Sequence, residues 1–191
     1  MAMIYLNDDI AGFDFDAALP LLSEQRREQA LRFKYEQGRK TCAMAYLLLC
    51  EGLQKEYGLT EKPVFTYGEH GKPSIIGHPD IHFNLSHCRE GVICAMSEQP
   101  IGVDIESIRE YKESLVRYTM NDQEVRQILQ AERPEVEFIR LWTMKEAVLK
   151  LTGQGIVDNM KEVLTQAKTS ELTTVVGPEA RYVYTVCRPA T

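Results

Sequence analysis

Two short blocks hold the residues best suited to chemistry in this 191-residue chain: Ile101-Gly102-Val103-Asp104-Ile105-Glu106, and Trp142 through Lys150, written WTMKEAVLK. In the first block apolar and other residues alternate. On a strand, Ile101, Val103 and Ile105 would face a core while Gly102, Asp104 and Glu106 face the other way. Two carboxylates would then stand ~6.6 Å apart along the strand, at a rise of ~3.3 Å per residue, close enough to share one cation. Hard oxygen donors without neighbouring sulfur suit Mg²⁺, which takes one or two carboxylates plus substrate phosphate and water. On the strand alone, a solvated acidic face is the simpler reading. In the second block Trp142, Glu146 and Lys150 recur at helical spacing along one side. A Glu→Lys helix pair explains the last two singly, but not a further carboxylate and two lysines around the chain's one tryptophan.

Three weaker features lie upstream. Phe83-Asn84-Leu85-Ser86-His87 is a strand running into a turn, where His87 could meet a phosphate or move a proton. His82, His87, Cys88 and Cys94 match no zinc finger or ribbon spacing, and the two cysteines suit small buried hydrophobes better. Gly71-Lys72-Pro73 lies in an irregular stretch. Arg39 and Lys40 stand at a helix start, where cations oppose the helix dipole unless an anion sits there, and helix N-termini bind phosphate. A solvated basic surface explains these two equally well.

The elements that must position these residues are legible in part. A strand is expected at 3–6 and a helix after Pro20 with Ser23 at its start. Gly38 should interrupt before a helix whose buried stripe is Cys42, Ala45, Tyr46, Leu49 and Leu53, ending at Gly58. Residues 58–80 read as loop with a strand near 64–67. Strands at 81–86, 91–97 and 101–106, joined by short connections, predict an antiparallel meander. Helices follow at about 108–119, 122–130 and 134–151, with Pro134 at a first helical position and Gly153 as C-terminal cap. Strands near 171–176 and 181–187 close an α+β fold.

Composition narrows the function classes. With 22 Lys and Arg against 28 Asp and Glu the net charge is −6, a poor match to general nucleic-acid binding. Charge is nonetheless local: residues 26–40 hold Arg26, Arg27, Arg32, Lys34, Arg39 and Lys40 against Glu28 and Glu36, a patch of +4. Five cysteines, without a C-x-x-C pair, suggest reduced thiols and a cytoplasmic setting. The longest apolar run, residues 43–50, falls far short of the ~20 residues of a membrane helix, and the N-terminus lacks a signal-peptide pattern.

Taken in order, GKP at 71–73, FNLSH at 83–87, IGVDIE at 101–106 and WTMKEAVLK at 142–150 resemble the 4'-phosphopantetheinyl transferases of the longer, surfactin-synthetase-activating type. The G-x-D-x-E strand and the W-x-x-K-E-x-x-x-K block are both complete, and the likeness spans roughly residues 20–155. It implies two similar α+β halves with the site between them, the halves being residues 1–100 on the nucleotide side and 101–191 with the metal and catalytic helix. It also implies a reaction: the phosphopantetheine arm of coenzyme A moves to a serine of an apo carrier protein, releasing adenosine 3',5'-bisphosphate. Asp104, Glu106 and Glu146 would hold Mg²⁺, Lys150 would neutralise the pyrophosphate, and Lys145 would assist. Glu146, directly or through a metal-bound water, would deprotonate the serine, with Glu124 as a second candidate. Ser86 and His87 would contact a coenzyme A phosphate, Arg39 or Lys40 the 3'-phosphate (Arg32 and Lys34 being alternatives), and the chain at Lys72 and Pro73 would line the adenine pocket. Cys88 stands where many relatives carry Ser or Thr.

Coenzyme A and an acyl or peptidyl carrier protein are thus the expected partners of a monomer, without nucleic acid or membrane. Two other classes stay open at this level. One is a non-catalytic module that binds carrier protein or coenzyme A, the other a different Mg²⁺-dependent phosphoryl-transfer enzyme such as a nucleotide hydrolase. Arg109, Lys112 and Arg117 are candidates for docking an acidic carrier, although Glu110 and Glu113 among them favour a solvated helix.

Overall fold

A computed structural model describes residues 1–153, 159–167 and 169–190. The strands are β1 (Met3–Asn7), β2 (Phe65–Tyr67), β3 (Pro73–Ile75), β4 (His82–His87), β5 (Val92–Ser97), β6 (Gly102–Ser107), β7 (Ser170–Val176) and β8 (Tyr182–Pro189). The α-helices are α1 (Phe15–Ala18), α2 (Glu24–Leu31), α3 (Glu36–Tyr57), α4 (Glu113–Thr119), α5 (Asp122–Gln130), α6 (Pro134–Thr152) and α7 (Val163–Gln166). The α+β class expected from the sequence is the class observed.

Two three-stranded antiparallel sheets organise the chain, ordered β1-β5-β4 and β6-β8-β7, with a small β2-β3 hairpin beside them. Each large sheet runs first strand, third strand, second strand, and each carries one long helix between its first and second strands: α3 in one, α6 in the other. The expected meander is therefore corrected. β4 and β5 do form a hairpin, but β6 pairs with β8 rather than with β5. The second edge of β5 is already occupied by β1, so the chain must leave that sheet after residue 97.

Helix ends follow local chemistry. Ser23 caps α2 by accepting from the Arg26 amide, and Asn121 with Glu124 forms a capping box at α5. Gly58 (φ 67°) and Gly153 (φ 70°) end α3 and α6 in the left-handed region that glycine enters without strain. Gly38 does not interrupt. It lies inside the first turn of α3, where a Cβ would collide with the Phe33 ring, so its lack of a side chain lets the preceding loop fold back.

The buried stripe on α3 (Cys42, Ala45, Tyr46, Leu49, Leu53) packs with Phe83, Val92, Cys94 and Met96 of the first sheet. A second cluster joins the sheets: Ile93 and Ala95 from β5 meet Ile101, Val103 and Ile105 from β6 and its approach, with Val186 from β8. This apolar seam confirms the alternation read in IGVDIE. It turns the face bearing Gly102, Asp104 and Glu106 toward α6. Among the described residues no helix is long and apolar enough to cross a membrane, and all five cysteines are free.

Candidate active site

The site is set by how closely α6 lies on β6. A Cβ added to Gly102 would overlap the carbonyl oxygen of Ala147 and fall 2.5 Å from the Leu151 amide nitrogen, so helix and strand touch backbone to backbone here. That contact places the Glu146 and Lys150 side of α6 over the polar face of β6. Lys150 Nζ lies 2.6 Å from Asp104 Oδ1 and 2.9 Å from Ser86 Oγ. Ser86 Oγ in turn donates to Asp104 Oδ1 at 2.9 Å and accepts from the Ile105 amide at 3.3 Å. Asp104 is buried, and its second oxygen, Oδ2, is buried without a hydrogen-bond partner.

Two more carboxylates flank this node. Burial first, and then the charge of Asp104, push Glu106 up to about 6 and raise Glu146 in the same direction, while Lys150 opposes the shift in both. In each the neutral form is favoured relative to a carboxyl in water. The folded chain holds its Glu106 proton more tightly than the unfolded chain, whose carboxyl titrates near 4.5. That contribution to stability is complete below the ordinary value and is lost as pH rises through about 6. Glu106→Gln is therefore expected to raise Tm at pH 7.5 in EDTA by about 2–4 °C, near 1 kcal/mol once partial solvation is allowed for, and to change nothing at pH 4. Scanning calorimetry at both pH values checks this, and equal shifts at the two would refute it.

The second strand of the site is β4. Its alternation sends Asn84 and Ser86 toward β6, where Asn84 Oδ1 accepts from the Val103 amide at 2.8 Å, one rung before the Ser86–Ile105 bond. Side chains thus do what a strand ladder would otherwise do across the junction of the two sheets. His87 ends the strand and is exposed. Surrounding protein first, and then Lys150, lower its pKa below the ordinary histidine value.

A cavity of about 290 Å³ opens beside this node, lined by His70, Gly71, Lys72, Pro73, Asn84, Glu146, Leu149, Lys150 and Gly153. The GKP segment therefore meets Glu146, Leu149 and Lys150 of α6 across one space. Lys72 itself does not offer its ammonium to that space. Its Nζ donates to the carbonyls of Lys150 (2.7 Å), Leu151 (3.0 Å) and Ile101 (3.2 Å), so all three donors are used in tying the loop to the C-terminal turn of α6. A second cavity of about 360 Å³ lies on the Glu106 side, bordered by Arg109, Tyr111, Lys112, Phe138 and Trp142.

Other expected site residues fall elsewhere. Lys145 is fully buried, with Nζ 2.8 Å from Glu124 Oε2 and 2.7 Å from the Met160 carbonyl. This places the Lys145 ammonium, expected to assist at a pyrophosphate, in the interior and off the wall of the cavity that Lys150 lines. Glu124, the alternative base, is spent on that ion pair and on the Asn121 amide of its capping box. In the basic segment, Arg26 is buried over the Tyr46 and Phe65 rings and leaves the surface patch. Arg39 donates to the Phe33 carbonyl, and Lys40 pairs with Glu36 at 3.0 Å. The first turn of α3 adjoins the β4–β5 turn through Gln37, whose amide donates to the Arg89 carbonyl. Arg117 pairs with Glu113 on α4, as a solvated helix would.

Among the described residues no group of three His, Cys, Asp or Glu side chains is drawn together closely enough to hold a metal ion. The donor set nonetheless fits a hard cation. Asp104 Oδ2 has unshared lone pairs in a buried place, and Glu106 and Glu146 are carboxylates raised first by burial and then by the charge of Asp104, a mismatch that a divalent cation would relieve. Two contributions escaped the sequence reading: the space-saving role of Gly102 and the Asn84 bond to β6. Glycine at the head of the strand and asparagine two residues before Ser86 are visible signals, but neither names its partner.

A family model described as the 4'-phosphopantetheinyl transferase superfamily matches residues 100–187. 4'-Phosphopantetheinyl transferase Sfp of Bacillus subtilis is 30% identical over 156 residues, 80% of this chain and 70% of the relative. 4'-Phosphopantetheinyl transferase psf-1 of Bacillus pumilus is 33% identical over 154 residues, 79% of this chain and 66% of the relative. AcpT of Salmonella typhimurium, another 4'-phosphopantetheinyl transferase, is 37% identical over 101 residues, half of this chain and 52% of the relative.

Proposed function

Since this chain belongs to the 4'-phosphopantetheinyl transferase superfamily and is an enzyme of that type, we propose that it moves the phosphopantetheine arm of coenzyme A onto a serine of an apo carrier protein. The observation that carries this reading is the node Asp104–Ser86–Lys150 set between two acidic side chains at the mouth of a cavity. Attack at a phosphorus of a pyrophosphate adds negative charge to a group that is already anionic, so catalysis rests on positioning and charge stabilisation.

Asp104, Glu106 and Glu146 would hold Mg²⁺. When bound, the ion would supply charge neutralisation at the pyrophosphate and lower the repulsion among the three carboxylates. Lys150, held by Asp104 and Ser86 and still partly exposed, offers its remaining donor capacity to a pyrophosphate oxygen. Glu146, with a raised pKa and a place on the cavity wall, suits the role of accepting the serine proton. The cavity between GKP and Lys150 would take the nucleotide end of coenzyme A, with His87 and a cation from 32–40 toward the 3'-phosphate. The aromatic-floored cavity beyond Glu106 would take the pantetheine end. The matching strand order of the two sheets supports two similar halves, near 1–100 and 101–191, that build one site where they meet.

The test is direct. Purified protein with coenzyme A and Mg²⁺ is expected to add one phosphopantetheine mass to an apo carrier protein, read by intact-protein mass spectrometry. No gain across fatty-acid, polyketide and peptide-synthetase carriers would overturn the reading.

A further inference from the structure

We propose that the side-chain amide of Asn84 is a donor to the substrate's phosphoanhydride, acting with Lys150 at the same cavity. This rests on the transferase reading above and assigns a contact within it. Asn84 is 6% exposed, yet it lines the cavity together with Glu146 and Lys150. The Val103 amide, a donor, lies 2.8 Å from one end of the carboxamide, so that end must be the oxygen. The NH₂ end is thereby fixed in the opposite sense, and among the described residues it has no acceptor.

The contrast with Ser86 is informative. Two residues along the same strand face, the Ser86 hydroxyl donates to Asp104 and accepts from both Lys150 and Ile105, leaving nothing for a ligand. Lys72, on the opposite wall, has all three donors on carbonyls. Among the described uncharged side chains around this space, Asn84 has an oriented donor that no protein acceptor uses. That nitrogen opens to the cavity, where a bound ligand can accept from it. Lys150 on the same wall selects an anion, and a phosphoanhydride presents several acceptor oxygens to two donors held a strand and a helix apart. Two donors fixed by the Val103 amide and by Asp104 reach the anion with little loss of side-chain freedom.

Calorimetric titration of coenzyme A and of 3'-dephospho-coenzyme A into wild type, Asn84→Asp and Asn84→Ala tests this. Asn84→Asp keeps the oxygen for Val103 and removes the donor; Asn84→Ala removes both without adding charge. Both variants are expected to weaken both ligands about 10- to 100-fold, as for loss of a hydrogen bond to a charged group, while Asn84→Ala alone loses several degrees of Tm. Unchanged affinity in Asn84→Asp would overturn the assignment. So would a loss confined to Asn84→Asp, which would mean charge repulsion, or a loss seen with coenzyme A alone, which would mean contact with the 3'-phosphate. A wild type that binds neither ligand overturns the transferase reading as well, whereas binding untouched by either substitution overturns only the role of Asn84.

Discussion

Asp104→Asn should lower the rate of carrier loading by about 10³-fold or more while leaving the fold intact. Asparagine retains an oxygen where Lys150 and Ser86 now donate, so the node keeps its shape. What disappears is, among the described residues, the one carboxylate with a buried and unshared oxygen, and with it the charge that holds Lys150 in place and would anchor a cation. The replacement NH₂ would sit where Oδ2 has no partner, a modest cost in stability. Time courses by mass spectrometry, with circular dichroism to verify folding, would measure the effect. A rate within tenfold of wild type would show that carrier loading does not depend on this carboxylate. The alanine variant should be inactive too, but it would also leave Lys150 unpaired, so asparagine is the cleaner substitution.

Gly102→Ala is the second large effect, and here stability and activity should fall together. The added methyl would meet main-chain atoms of Ala147 and Leu151, neither of which is the free end of a flexible side chain. Overpacking of a rigid contact costs about 1–3 kcal/mol, or several degrees of Tm for a chain this size. Relief requires α6 to back away from β6, carrying Glu146 and Lys150 from Asp104. A displacement near 1 Å in a positioned site can cost about 100-fold in rate. Thermal unfolding and the loading assay should therefore both respond. A variant with normal Tm and normal rate would mean that the helix–strand contact does not position the site.

These two residues also divide what was legible from what was not. The acids of IGVDIE and the Glu146–Lys150 face of WTMKEAVLK follow from period-2 and period-3.6 spacing, because side-chain direction in a strand or helix is a local property. So do the ends of α6, where Pro134 and Gly153 act within their own turn. The partners of those faces are not local. Nothing in the order of residues says that β5 is covered by β1, and so the short 98–101 connection looks like a hairpin when it is a crossing between sheets. Lys145 and Lys150 look equivalent in sequence, but five residues turn them through different directions, one to Glu124 in the interior and one to Asp104 at the cavity. Lys72, expected on a pocket wall, also ties that wall to the C-terminal turn of α6.

The chain's own order of residues thus determined the chemistry: hard oxygen donors, a lysine to meet an anion, and a strand and helix to carry them. Tertiary structure decided which groups remain free to do it. Hydrogen-bond donors are few and saturable, and only packing reveals that Lys72 and Ser86 have spent theirs and that Lys145 is enclosed, while Lys150 and Asn84 keep a donor at the cavity.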